Sequence, residues 1–531
     1  MLNKNRSLAY RRYALIFVLG MLVSACTTVG PDYQQPQVSV LDKWHEEADS
    51  GINSQTEEIQ AQWWTVFNDP VLNKLIDTAY QQNLDLHIAA TRIIEARARL
   101  GIAVGGLYPQ SQSLNGGGTR NRLSENALNG FDALDSSFSH FNLGFDATWE
   151  LDVWGRLARG VESADSTLLA SIANYDDVLV SLTAEVAAAY VQIRTFEERI
   201  ALAKKNEAIQ QRSLTITKVR FENGVTTELD VTQARALLYS TRALTHSLET
   251  GLRQSRNALS ILLGLPPGDL ASILTESGTI PVAPQEVAVG IPLEMIRRRP
   301  DIRQAEMQAA AQSALIGVAQ GELYPKFGLL GSFGLATTSS GGNDFGDLFS
   351  SDSLVGVAGP VFSWSILNYG RIKNDVRVQD ARYQQTMIRY QNSVLLAAQE
   401  VEDAMVAFLN AQRQSTELEV SVTSSNRSVD LSLIQYRDGV TDYTRVLNSQ
   451  DFLVQQQDYY TAVRGDIALS LISMYKALGG GWEIREGQNF IPVEMREQME
   501  QRTDWGGLLN ETAVEIQETA ERDDAWRRPD W

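Results

Sequence analysis

The sequence predicts a mainly α-helical chain with a transmembrane β part, built as two pseudo-symmetric halves. Three observations carry this. Four landmarks recur in order, 215 or 216 residues apart. Two long runs without proline, about 156–221 and 371–436, place an apolar residue every three or four positions. From Phe141 to Leu151, apolar and polar residues alternate without a break.

Composition bounds the function. The chain has 531 residues, a net charge of −19, one cysteine, four histidines and 44% apolar residues. One cysteine closes no disulfide and anchors no Cys/His zinc cluster. The acidic field repels phosphate, and no long Lys/Arg run offsets it, so nucleic acid is not expected as a partner. There is enough apolar side chain for a large core, which argues against bulk disorder. The single early apolar stretch is too short to span a bilayer as a helix.

That stretch reads as a targeting signal. Lys4, Arg6, Arg11 and Arg12 precede an apolar run, and Val23, Ser24 and Ala25 lead into Cys26. Residues 1–25 are expected to be a lipoprotein signal peptide, with Cys26 acylated as the mature N-terminus. The alternative is an ordinary signal with an incidental cysteine. Thr27 follows, not Asp, which resembles lipoproteins sent on to the outer membrane. Residues 26–62 lack a period, and Gly30, Pro31 and Pro36 keep them extended as a tether.

The body is duplicated. Leu107-Tyr108-Pro109 recurs as Leu323-Tyr324-Pro325, and Trp154-Gly155-Arg156 as Tyr369-Gly370-Arg371. Glu185-Val186 recurs as Glu400-Val401, and the 221–226 stretch, with Gly224, as 436–441, with Gly439. The expected parts are repeat 1 at 63–265, an inter-repeat segment at 266–292, repeat 2 at 293–482, and an acidic C-terminal tail at 483–531. Two similar domains side by side would give the same pattern. Each repeat opens with a helical run, about 63–106 and 293–323, stopped by Tyr-Pro. Strands follow at about 110–121, 139–151, 326–338 and 353–365. Each long helix, on the order of 100 Å, then reverses at a tip, about 221–230 and 436–445. Shorter helices return over about 228–263 and 443–478.

The long helices carry a seam. Leu182, Val186, Ala189, Ile193, Phe196 and Ile200 keep a 4/3 spacing, as do Ala397, Val401, Ala404, Phe408 and Ala411. This predicts coiled-coil packing. In the strand at 139–151, Asn142, Asp146 and Glu150 fall on the polar face, the side that would line a lumen. A half-buried soluble sheet alternates in the same way. If the strands span a membrane, four of them leave open edges, so the chain must oligomerise.

Catalytic signals are missing. His45, His87, His140 and His246 are isolated, and no metal-ligand, nucleophile-elbow or phosphate-loop pattern is present. Acidic pairs such as Asp176-Asp177 and Glu197-Glu198 read as solvated helix faces. No cofactor and no enzyme activity are expected.

The motifs together resemble a family: the TolC-like outer membrane efflux proteins, in the lipoprotein (OprM-like, or NodT) branch that serves resistance–nodulation–division pumps. They are Gly30-Pro31-Asp32-Tyr33, Trp63-Trp64, Asp69-Pro70, Asn83-Leu84-Asp85-Leu86, the run Trp149 to Arg156, Pro266-Pro267-Gly268 and Arg298-Arg299-Pro300-Asp301. The resemblance implies a homotrimer closing a twelve-stranded β-barrel, continuous with a twelve-helix periplasmic α-barrel. It implies a passive exit duct for small molecules, working with a periplasmic adaptor protein and an inner-membrane pump, in contact with outer-membrane lipid. The tips Asn223-Gly224-Val225 and Asp438-Gly439-Val440 would meet the adaptor, and the tail would pack round the middle of the α-barrel. Asp230, Tyr436, Arg445 and Asn448 would form the aperture. Arg445 and Asn448 depart from the acids common there, and an Asp230–Arg445 link is expected between hairpins. Two other classes remain: a structural or adhesive coiled-coil lipoprotein without a pore, and a secreted enzyme with an acidic pair.

Overall fold

The computed structural model describes residues 28–37, 43–46, 51–53, 61–124, 137–268, 270, 273–274, 278–289 and 297–509. Cys26 and the last tryptophans, Trp526 and Trp531, lie outside them.

A short 3₁₀ turn at Trp63–Phe67 leads into α1 (Pro70–Gln82) and α2 (Leu84–Gly105). Strands β1 (Ser111–Arg122) and β2 (Ser137–Leu151) follow, then the long helix α3 (Arg156–Glu222) and its return α4 (Glu228–Leu262). The second half repeats the order: α5 (Pro300–Gly321), β3 (Lys326–Thr338), β4 (Leu354–Ser363), α6 (Arg371–Arg437) and α7 (Tyr443–Ala477). A last helix, α8, spans Val493–Arg502.

The duplication is kept at atomic scale. Helices α3 and α6 have 67 residues each, and α4 and α7 have 35 each. Trp149 Nε1 donates to Leu107 O at 3.0 Å, and Trp364 Nε1 donates to Leu323 O at 3.0 Å. The two halves share one sheet and one core, so they are not two domains side by side.

The opening helical run is interrupted, against the expectation of one helix over 63–106. Asp69 accepts from Val71 N and Leu72 N and starts α1 ahead of Pro70. The Asn83 side chain accepts from Leu86 N and starts α2. Both are N-caps, which satisfy backbone donors that a continuing helix would have bonded internally.

Helix α3 is the spine. Its first half packs on α2 and α5, where Gln304 Nε2 reaches Asn174 Oδ1 at 3.0 Å. Its second half packs on α4 and α7, where Arg199 forks onto Asp458 at 2.7 and 2.8 Å. The seam is buried: Leu182, Val186, Ala189, Ile193 and Ile200, and in α6 Ala397, Val401, Ala404, Phe408 and Ala411. Each large apolar side chain so buried contributes about 1.5–3 kcal/mol.

Round the middle of α3, one apolar cluster gathers Trp63, Trp64, α1, α2, Tyr475 and the segment after α7, including Phe490, Ile491, Met499 and Leu509. Trp63 stacks on Tyr475 with ring centroids 5.3 Å apart. A two-residue parallel ladder, Ile52 to Val287 and Asn53 to Ala288, ties the N-terminal tether to the inter-repeat segment beside this belt.

The acidic pairs are not solvated faces. Asp176 is fully buried and takes Arg485 Nε and Nη2 on its two oxygens, the latter at 2.9 Å. Glu197 holds Arg194 and Arg256, and Glu198 holds Arg464. The C-terminal segment supplies Arg485, 309 residues from Asp176, so helical periodicity carries no trace of the partner.

Asp177 lies in a cavity of about 210 Å³ with Arg299, Asp301, Glu400 and Lys476. Burial, reinforced by Asp301, pushes its carboxyl up to about 6. An acid whose folded pKa exceeds its unfolded value stabilises the fold below the unfolded value, and that contribution is lost as pH rises through about 6. Asp177→Asn should therefore exceed the wild type at pH 7.5 by up to about 3 kcal/mol. The two should converge below pH 4 in thermal unfolding. A gap that does not change with pH would count against this assignment.

Candidate functional site

The sheet is antiparallel in the order β1-β2-β3-β4, with strands of 12, 15, 13 and 10 residues. Each is long enough to cross a bilayer as a tilted strand. Alternation sorts the faces. One carries Leu114, Phe145, Trp149, Leu329, Phe333 and Phe362, in the register Leu114 to Phe145 to Phe333. Within the chain this face is bare: Phe333 is 61% exposed and Phe362 74%. Contiguous apolar area of this kind is not left to water. The outer edges of β1 and β4 are unpaired among the described residues of the chain. Among the described residues no helix is long and apolar enough to cross a membrane.

Asn142, Asp146 and Glu150 share the opposite face. Asp146 accepts from Asn115 Nδ2 at 2.8 Å and from Ser332. Glu150 pairs with Arg156 at 2.8 Å, and Arg156 and Lys326 both meet Glu322. These charges mark the junction of sheet and helices. An aromatic layer lies there too: Trp154 stacks on Tyr324 at 4.8 Å and donates to Pro325 O.

The first described residues reach this junction. Val29 N donates to Trp154 O at 3.0 Å, and Arg159 binds Asp32 at 2.6 Å. The tether then crosses α5 backbone to backbone. A Cβ at Gly30 would lie 2.4 Å from Gly317 Cα, so neither position admits a side chain.

At the far end of the long helices lie two matched turns. Gly224 and Gly439 adopt φ of 71° and 74°. Val225 N donates back to Arg220 O at 2.8 Å, and Val440 N to Gln435 O at 2.9 Å. This six-to-one bond closes a helix through a left-handed glycine. Asn223, Gly224, Val225, Asp438, Gly439 and Val440 are all exposed, at the outermost points of the two hairpins.

Behind them, Tyr436, Tyr443, Leu214, Val231 and Val446 form a small core. Burial raises the pKa of the Tyr443 hydroxyl, and nearby Tyr436 and Asp230 raise it further. Asp230 takes the Thr226 hydroxyl, and Arg445 and Asn448 are exposed. Asp230 and Arg445 occupy equivalent positions of the two repeats, and no Asp230–Arg445 ion pair occurs among the described residues of one chain.

A residue that sequence reasoning missed holds the two tips together. Arg220, on α3, donates to the carbonyls of Tyr436 and Arg437 at 3.0 and 3.2 Å, and its guanidinium lies 4.6 Å from the Tyr436 ring centroid. It caps the last turn of α6 from another helix, where a cation also meets the negative end of the helix dipole.

Comparison with known proteins agrees with this geometry. The family "Outer membrane efflux protein" matches residues 75–265 and again 291–480. Nodulation protein T of Rhizobium leguminosarum bv. trifolii is 30% identical over 480 residues, covering 89% of this chain and 98% of that protein. The pyoverdine export outer membrane protein OpmQ of Pseudomonas putida is 30% identical over the same shares. Among solved structures, the outer-membrane channel OprN superposes with a TM-score of 0.80 at 28% identity, over 86% of this chain and 100% of that one.

Proposed function

Because the chain belongs to the outer membrane efflux protein family, we propose that three copies close one twelve-stranded barrel and one twelve-helix tube, the exit duct of a tripartite efflux system. The protein is an outer membrane efflux channel of a Gram-negative cell and is not an enzyme. The observation that carries closure by several chains is the open sheet, and the number three follows the family resemblance. Lipid offers no hydrogen bonds to unpaired strand edges, so β1 of one chain must meet β4 of the next. The helices support the same arrangement: α6 leaves Ile388, Leu395 and Val420 exposed on one flank, and α2 leaves Ile88 and Ile102 exposed on the other.

In this reading the aromatic face meets lipid, and Asn142, Asp146 and Glu150 line the bore. Cys26 carries the acyl anchor. Residue 28 sits at the sheet–helix junction, and the two preceding residues reach about 7 Å. The tips at Gly224 and Gly439 receive a periplasmic adaptor, and an inner-membrane pump of the resistance–nodulation–division type supplies the energy. Asp230, Tyr436, Arg445 and Asn448 form the aperture, with Asp230 and Arg445 linked between neighbouring hairpins. Relatives are named for pyoverdine export and for toluene efflux, so one architecture accompanies different cargoes.

Electron microscopy of the lipidated, detergent-purified protein tests the proposal. A hollow three-fold tube with a helical part on the order of 100 Å is expected. A solid rod or a compact monomer would overturn it in favour of a coiled-coil lipoprotein without a pore.

A further inference from the structure

The bore-facing side of the sheet is not uniformly polar. On β1 and β2 it carries Ser113, Asn115 and Asp146. On β4 the same side carries Val355, Val357 and Val361, and β3 adds Leu330. The register fixes this, because Asp146 stands opposite Ser332 and Ser332 opposite Val357. Directly paired residues project to one side of a sheet. The lipid face does not need these valines, since Leu354, Pro360 and Phe362 already supply it from the alternate positions of β4. The valines span most of β4, about 20 Å, and are 48%, 59% and 44% exposed. A barrel interior that only conducts water and ions is ordinarily polar.

Charge singles out one neighbour. Glu150 is neutralised by Arg156, but Asp146 has no ion pair among the described residues. It keeps only the amide of Asn115 and the hydroxyl of Ser332. It lies two strand spacings from Val357, about 10 Å. A polar row bearing a carboxylate thus runs beside an apolar row.

We propose that Val355, Val357 and Val361 with Asp146 form a track in the bore for organic cations that have an apolar body. The inference rests on the duct reading above and names the class of molecule that the bore favours. The apolar body leaves water against the valine methyls while the cationic head stays within reach of the carboxylate. Contact on one side only keeps the residence short, which suits a conduit that must bind its cargo and also release it.

Single-channel recording of the full-length lipidated protein in planar bilayers tests this. Ethidium serves as the aromatic cation, and tetramethylammonium as a cation without an apolar body. Ethidium should interrupt the current in resolvable blocks, and tetramethylammonium should not. The combined variant Val355→Ser, Val357→Ser, Val361→Ser should shorten ethidium blocks about tenfold, the equivalent of 1.4 kcal/mol. Its potassium conductance should stay unchanged. Val357→Thr, nearly isosteric and a good strand former, should shorten the blocks in the same direction if the triple variant does not assemble. Asp146→Asn should shorten the ethidium blocks as well. Unchanged ethidium blocks in a conducting valine variant would overturn the track and leave the duct intact. A protein that conducts nothing, even with the aperture contacts removed by Arg220→Ala, Asp230→Ala and Arg445→Ala, would overturn both.

Discussion

Replacing Arg485 by alanine should destabilise the belt round α3 by about 3–5 kcal/mol. The guanidinium is bound to Asp176, a carboxylate with no exposed surface, in the middle of the chain's largest apolar cluster. Burial raises the Asp176 pKa, and Arg485 opposes that shift. Removing Arg485 leaves Asp176 either charged without a partner or forced to take a proton, and both states are costly in a site of low polarity. The loss also reaches packing, because the Arg485 guanidinium lies over Trp482 and Phe490, each ring centroid 5.4 Å from its central carbon. Thermal unfolding and trypsin cleavage within 482–509 would read the effect. The double variant Asp176→Leu, Arg485→Met should recover most of it, since a buried pair exchanged for apolar groups of similar volume is often close to neutral. A single Arg485→Ala variant within 1 kcal/mol of the wild type would contradict this account.

Replacing Arg220 by alanine should leave the duct leaky. Two charge-assisted hydrogen bonds and a ring contact join the first hairpin to the last turn of α6, and together they are worth several kcal/mol. Without them the α6–α7 hairpin is free to swing from α3 at its tip, where only a small core remains. Closed-state conductance and vancomycin sensitivity of cells carrying the variant should rise, the conductance roughly tenfold, or 1.4 kcal/mol on the open–closed balance. Arg220→Lys should be intermediate, because lysine keeps the charge but not the planar fork. Asp230→Ala and Arg445→Ala probe a different contact, the proposed link between hairpins of neighbouring chains. If those variants, alone or together, leave both readouts unchanged, that link is absent. If Arg220→Ala leaves them unchanged, the clamp within the chain does not hold the aperture.

The features legible in the sequence are those whose cause is local or periodic. The long helices follow from two proline-free runs closed by glycine, and the sheet follows from alternation. The caps at Asp69 and Asn83 were also legible, since Asp before proline and Asn before an apolar run are start signals. They were submerged in a longer helical pattern. Arg485 and Arg220 were not legible. One partner of Arg485 lies 309 residues away, and Arg220 binds backbone carbonyls, which every residue has. The valine row of β4 was hidden for another reason. Leu354 and Phe362 already satisfied the alternation, and only the register across Ser332 and Asp146 shows which way the valines face.

The two hairpins of one chain are equal in length. With 67 residues down and 35 back in each, both tips of a chain end at the same depth. In the proposed trimer, three chains would present a level rim of six nearly equivalent points, a quasi-sixfold ring on a threefold molecule. At two positions the equivalence breaks by sign, because Glu222 and Asp230 in the first repeat stand where Arg437 and Arg445 stand in the second. Round the proposed rim, the charges at these two positions would alternate in sign. A ring of like charges repels itself and needs a counter-ion to close. An alternating ring attracts at every step, so dissolved salt loosens it.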